Sequence, residues 1–266
     1  MPKLSESKYI PLATFFKQST QRELSLTYDE IEAIIGQVLP NAAYLSSSWW
    51  KKTKPPALHF FAWTDHGYSV KSVNLGKSVL FHNVVHEKDE RLLDENNKQD
   101  ILIIREAELE DARSFISLQE SIFSETDFML YGKSDIQMTV QAVRKEMNFW
   151  KNSTNSILLL AIMNGQFAGY VLFTGGPAPR ALHRATVVIG VKQMFSKKGI
   201  ASSLMLHGEK WAKEVGISKL ELTVIKENLN AQKLYEKLGF ENEGTRKNAL
   251  IINEEFVDEF FMGKLI

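Results

Sequence analysis

The clearest capacity for chemistry in this sequence lies in the loop Ser196-Lys197-Lys198-Gly199-Ile200-Ala201 and in Tyr235, which follows it. The loop joins an apolar strand-like run (Val187, Val188, Ile189, Val191) to a helix-like one in which Ile200, Leu204, Trp211 and Val215 keep helical spacing. A glycine between a strand and a helix start leaves backbone N–H groups free at the positive end of a helix dipole. That arrangement suits a pyrophosphate. A second strand (Leu220, Leu222, Val224) leads to Asn228, which sits where a helix N-cap belongs. Ala231 and Tyr235 follow at i+3 and i+7 on its face, while Leu234 and Leu238 share another face that can bury. A phenol with an ordinary pKa near 10 stays protonated at neutral pH and can serve a basic leaving atom.

These residues carry a resemblance. Gly199 and Ala201, joined to the Asn228/Ala231/Leu234-Tyr235/Gly239-Phe240 spacing, resemble the GNAT superfamily of acetyl-CoA-dependent N-acetyltransferases over roughly residues 100–266. The family's pyrophosphate motif reads Gln/Arg-x-x-Gly-x-Gly/Ala, and Ser196 departs from its first position. The departure removes a side-chain contact but no backbone N–H. The resemblance implies acetyl-CoA as co-substrate, held by Val191, Ser196, Lys197, Lys198, Gly199, Ile200, Ala201, Asn228, Ala231 and Tyr235. It implies that Asn228 meets the pantetheine arm and that Tyr235 is the general acid for the departing thiolate. It also implies a mixed central sheet flanked by helices, an α+β fold.

The acceptor amine must attack in its neutral form. In related ribosomal-protein acetyltransferases a strand glutamate takes the proton, but here that position is Thr223. Glu221, two residues earlier on the same strand face and about 6–7 Å away, is the candidate base through water, or else a solvated strand carboxylate. Glu125 and Asp127 are weaker candidates that would line the acceptor entrance. His59 and His66 lie seven apart on one expected helix without nearby carboxylates, a poor metal site, and no metal is expected.

The sequence contains no cysteine, which excludes thiolate zinc sites, disulfides and a cysteine nucleophile. Acetyl transfer is then expected to be direct attack by the acceptor or to use another nucleophile. Formal charge balances at zero over 266 residues, so no global bias toward nucleic acid or anionic membrane exists. Without an apolar signal core or membrane span, the expectation is a cytoplasmic protein with no membrane partner.

Residues 86–100 are highly charged, hold only Leu92 and Leu93 as apolar side chains, and are expected to link two units. Before them, residues 1–85 read as a small α+β accessory module. Thr27 to Glu30 fits a capping box, Gly36 a helix stop, Pro55-Pro56 a second helix start, and Gly76-Lys77 a hairpin turn. The order is compatible with a winged-helix-like module and equally with other small α+β units. Trp49-Trp50-Lys51-Lys52-Thr53-Lys54 interleaves aromatics and lysines, a pattern that can hold nucleic acid; the alternative is core tryptophans beside a solvated turn. A homodimer contact is a further alternative for this module.

Residues 101–266 are expected in the order β-α-α-β-β-β-α-β-α-β-β. The expected function is acetyl transfer to an amine acceptor, either a small molecule or a protein N-terminus or lysine. The alternative is a nucleic-acid-associated or regulatory protein whose acetyltransferase domain modifies a bound partner or only senses acetyl-CoA.

Overall fold

A computed structural model describes residues 7–51, 58–84, 100–131 and 138–266. Contacts divide the chain into two compact units: Met1–Asp111 with Ile162–Phe167, and Ala112–Ala161 with Ala168–Ile266. Residues 86–99 of the expected linker and Lys52 to Pro56 lie outside the described residues.

In the first unit, α1 (Ile10–Gln18) precedes β1 (Glu23–Thr27) and α2 (Tyr28–Ile35). The capping box forms: the Glu30 N–H donates to Thr27 Oγ1, and the Thr27 N–H donates to Glu30 Oε2 at 2.7 Å. Gly36 ends α2 in the left-handed region, as its position predicts. Short helices α3 (Asn41–Leu45), α4 (Ser47–Lys51) and α5 (Phe61–Thr64) follow, then the hairpin β2 (Tyr68–Asn74) and β3 (Ser78–Asn83). Strands pair in the order β1-β3-β2 over a core of Leu12, Phe16, Ile31, Ile34, Trp50, Trp63 and Phe81. This is a small α+β module. His59 and His66 share no helix: α5 is a single turn, and His59 stacks on Trp49 with ring centroids 3.8 Å apart.

Strand β4 (Leu102–Glu106) belongs to this unit and lies beside α1. Its Arg105 is buried in a bidentate pair with Asp111, Nη1–Oδ2 2.7 Å and Nη2–Oδ1 2.8 Å, and donates twice to the Ala33 carbonyl at the end of α2.

The second unit runs α6 (Ala112–Glu125), α7 (Val140–Lys151), β5 (Ser156–Met163), β6 (Gln166–Gly175), β7 (Arg184–Val191), α8 (Ile200–Glu214), β8 (Lys219–Ile225), α9 (Leu229–Lys237), β9 (Glu241–Ile252) and β10 (Glu255–Leu265). With β4 this reproduces the element order implied by the resemblance. The strands of this unit follow in the order β5-β6-β7-β8-β10-β9. Every residue of β5 is buried, the mark of a strand covered on both faces.

Helix α8 packs on one face of the sheet. A Cβ on its Gly208 would fall 2.0 Å from the Phe173 ring, and Phe173 shares a face with its register partner Val187. Helix α6 covers part of the opposite face, where a Cβ on Gly190 would lie 3.1 Å from Ile122 Cδ1.

Candidate active site

Strand β7 pairs with β6 along its length, Gly169↔Val191 through Gly175↔Ala185. With β8, which runs parallel to it, only three pairs form: Arg184↔Lys219, Ala185↔Leu220 and Thr186↔Glu221. Beyond Thr186 the two strands part, while β8 stays fully paired to β10 on its other side. The resulting wedge opens toward the carboxyl ends of β7 and β8. The loop Lys192–Gly199 leaves one side of it, and Asn228 and α9 follow the other.

That loop is held by its own hydrogen bonds. Gln193 opens a turn of 3-10 helix, and its carbonyl accepts the Ser196 N–H at 3.0 Å and hydroxyl at 2.7 Å. Ser196 therefore braces the turn instead of projecting as the longer Gln or Arg would. Lys197 and Gly199 both take positive φ, 61° and 78°. Gly199 is the N-cap residue of α8 with no side-chain cap, and a Cβ there would meet nothing within 4 Å. The first N–H groups of α8 thus face open space at the positive end of its dipole, which fits a pyrophosphate. Lys197, Lys198 and Gly199 are exposed, Val191 and Ala201 half-buried, and Ile200 is buried as the helix's first core residue.

On the other side, Asn228 caps α9: its Oδ1 accepts the Ala231 N–H at 3.1 Å. Asn228 and Ala231 are half-buried. The expected burial of Leu234 and Leu238 gives way to a different arrangement. Tyr235 is the buried residue of α9 and packs its ring 5.9 Å from that of Phe240, while both leucines stay half-exposed. The α9 turn and the Gly239-Phe240 reversal carry the phenol inward. Burial pushes the Tyr235 pKa up to about 12, and no described residue hydrogen-bonds its hydroxyl.

Glu221 sits at the vertex where the strands part and is buried. Its Oε2 accepts from Arg184 Nη1 at 2.9 Å, and its Oε1 lies 3.2 Å from Lys219 Nζ, which also reaches Glu243 at 2.8 Å. Each oxygen keeps one further lone-pair site. Thr223 is exposed on the same face.

Sequence reasoning missed three features. Arg184 stands beside Glu221 on the neighbouring strand, a pairing that depends on register. The bonds of Glu125 are the second: named only as a weaker candidate lining the acceptor entrance, it lies at the end of α6 and accepts the Gln193 N–H at 2.6 Å, while Ser121 Oγ donates to its other oxygen at 3.0 Å. Gln119, one turn and a half earlier, keeps a buried Oε1 without a partner among the described residues. The spacing 119, 122, 125 on one helical face was available as a signal, but nothing in the sequence said what that face meets.

Among the described residues no group of three His, Cys, Asp or Glu is placed to hold a metal, and no helix is long and apolar enough to cross a membrane. In the first unit, Trp50 is buried and donates its N–H to Tyr28 Oη and the Ala43 carbonyl, and Trp49 is stacked on His59. Both rings thus make contacts within the fold, and Lys52 and Lys54 of the same stretch lie outside the described residues.

A mixed sheet with a parallel pair that parts beside a glycine-opened helix is the α+β architecture that the resemblance implies. The model of the acetyltransferase (GNAT) family matches residues 121–240, and a domain of unknown function, DUF7662, matches residues 9–84. An L-amino acid N-acetyltransferase, AaaT, from Escherichia coli strain K12 is 33% identical over 111 residues, covering 40% of this chain and 67% of that protein. The crystal structure of a GNAT-family acetyltransferase from Streptococcus pneumoniae is 35% identical with a TM-score of 0.61, covering 62% of this chain and all of that one. A Salmonella typhimurium protein solved with its cofactor acetyl-CoA shares the fold at 16% identity and a TM-score of 0.57, over 62% of this chain and 94% of that one. This chain belongs to the GNAT family of acetyltransferases. It is an N-acetyltransferase that carries a DUF7662 module ahead of the transferase domain.

Proposed function

We propose that this chain transfers an acetyl group from acetyl-CoA directly to the amine of a small acceptor, the α-amine of an amino acid. The observation that carries the reading is the parting of β7 from β8 after Thr186↔Glu221, which opens a path through the sheet beside the loop at Gly199. The acceptor class is suggested by the name of the Escherichia coli relative and by the charged pair Arg184–Glu221 at the wedge vertex.

Acetyl-CoA supplies an activated thioester, whose carbonyl carbon gains a bond to the acceptor nitrogen as its C–S bond breaks. The N–H groups following Gly199, with Lys197 and Lys198 nearby, would take the pyrophosphate, while Val191, Ser196, Ile200, Ala201, Asn228 and Ala231 would line the path of the remainder. Glu221 orients the acceptor's ammonium and takes its proton through water. A phenol at about 12 is roughly three and a half units weaker as an acid than an ordinary thiol near 8.5. Full proton transfer from Tyr235 to a departing thiolate is therefore uphill. The favoured role of Tyr235 is a hydrogen bond donated to the sulfur as charge develops there, with the proton finally drawn from solvent.

The test is release of free CoA thiol by the purified chain with acetyl-CoA and a panel of L-amino acids, with products checked by mass. Acetylation of one or more α-amines supports the reading. Acetyl-CoA turnover confined to lysine side chains or protein N-termini would replace it.

A further inference from the structure

Strand β7 presents Arg184, Thr186, Val188 and Gly190 to one face of the sheet. Helix α6 covers the Gly190 end of that row, as the 3.1 Å approach of Ile122 to a Cβ there requires. The rest of the row is open: Arg184 and Thr186 are exposed and Val188 is 42% exposed, whereas the intervening Ala185 and Val187 are buried under the opposite face. An uncovered strip therefore runs from Arg184 to the point where β7 leaves β8, and Glu221 and Thr223 border it on the neighbouring strand.

The Arg184 guanidinium is not used up by its ion pair. One nitrogen, Nη1, reaches Glu221 Oε2, and the side chain remains 46% exposed. No other described residue bonds it, so Nη2 and Nε keep their N–H groups. Nor does Glu221 depend on it alone, since Lys219 sits on the other carboxylate oxygen. The free edge of a guanidinium is a planar fork that matches the two oxygens of a carboxylate. Beside it lies a carboxylate with lone pairs to spare for an ammonium. Opposite charges held side by side in this order complement a molecule whose ammonium and carboxylate are separated by one carbon.

We infer that Arg184 reads the acceptor's α-carboxylate, and so makes the wedge selective for free α-amino acids over amines that lack the acid. The inference rests on the amino-acid reading above and deepens it. Arg184 acts on specificity by touching the substrate's spectator group, while Glu221 faces the amine.

The experiment compares kcat/KM for each accepted L-amino acid with that for its amide, in the full-length wild type and in the Arg184→Met and Arg184→Lys variants. In the wild type the acid is preferred. In Arg184→Met the acid-to-amide ratio falls roughly 10- to 100-fold, the scale of a lost charge-assisted hydrogen-bonded pair. Arg184→Lys, which keeps the charge without the fork, falls between. A purely structural role for Arg184 would lower both substrates together and leave the ratio alone, and that result overturns the inference. The ratio also separates the two readings. A wild type that acetylates amino acids with an unchanged ratio in Arg184→Met removes this inference only. A wild type that acetylates other amines but no amino acid removes both.

Discussion

The carboxylate of Glu125 accepts the backbone N–H of Gln193 at 2.6 Å, tying the last residue of α6 to the first turn of the loop that leads into α8. The Gln193 peptide is thus pinned on both sides, by Glu125 at its nitrogen and by Ser196 at its oxygen. A charged acceptor makes the first bond stronger than a neutral one would. The loop is thus braced by these bonds, with a short serine at position 196. We predict that Glu125→Ala weakens acetyl-CoA binding roughly 5- to 50-fold, and that Glu125→Gln, whose amide oxygen can still accept, loses less. Calorimetric titration with CoA reads this directly. Equal affinities for all three proteins would show that the loop holds its shape without the strut.

Gly199 and Gly216 form a matched pair at the two ends of α8. Both have φ near +80° and both would place a Cβ in open space. Alanine at either position incurs the same left-handed strain, about 1–2 kcal/mol. The open space differs in meaning: at Gly199 it is the approach to the helix N-terminus, and at Gly216 the solvent beyond the C-terminus. Gly199→Ala and Gly216→Ala are expected to lower the melting temperature by similar amounts, while only Gly199→Ala, and more severely Gly199→Val, weakens CoA binding. Parallel losses of affinity in the two alanine variants would attribute the effect to strain alone.

Tyr235 provides a pH prediction with a definite sign. Its pKa is raised by burial to about 12 from the ordinary value near 10. Unfolding releases it to the ordinary value, so its contribution to stability is fully present below pH 10 and is lost as pH rises from about 10 to about 12. Absorbance at the phenolate band should show one tyrosine titrating near pH 12, and Tyr235→Phe should remove that step. In the same variant kcat should fall by about 10²–10³ with CoA affinity nearly unchanged, since a hydrogen bond to the departing sulfur exists only as the C–S bond breaks. Wild-type turnover in Tyr235→Phe, with chemistry rate-limiting, would leave the phenol a packing residue.

What the sequence disclosed follows from what is local. The capping box at Thr27, the cap at Asn228 and the turn at Gly199 are each written in a few consecutive residues, and each forms as read. Residues Ile157 to Met163 form a continuous apolar run, which by itself reads as a buried strand, and β5 forms there. Strand β9 was not singled out, because its first eight residues are exposed on both faces and show no alternation. The inward turn of Tyr235 was missed for a related reason: helical periodicity favoured Leu234 and Leu238, and the contact with Phe240 depends on how the chain reverses after Gly239. The Arg184–Glu221 pair required the register of β7 on β8, which lies in no single segment.

Arg105 bears on where the chain divides. Composition places a boundary in residues 86–100, yet the first compact unit runs on to Asp111 and includes β4. Within that unit the Arg105 side chain, 8% exposed, pairs with Asp111 through two bonds and gives two more to the Ala33 carbonyl. A Cβ on Gly36 would fall 2.7 Å from Arg105 Nη1, so the end of α2 is shaped around the guanidinium. Replacing Arg105 with Met leaves Asp111 buried with, among the described residues, the Glu108 N–H at 2.7 Å to bond, and should cost about 3–5 kcal/mol. Arg105→Lys should recover little, because one ammonium cannot serve a bidentate carboxylate and a carbonyl together. We further propose that a chain cut by mild proteolysis within residues 86–99 remains in one piece on gel filtration, since β4 would still be bonded to α2 across the cut. Adding denaturant should separate the fragments at a lower concentration in Arg105→Met than in wild type. A fragment of residues 101–266 that elutes alone, melts at the temperature of the intact chain and binds CoA as tightly would show that the Arg105 bonds are dispensable. The energetic boundary would then fall where the charged residues place it.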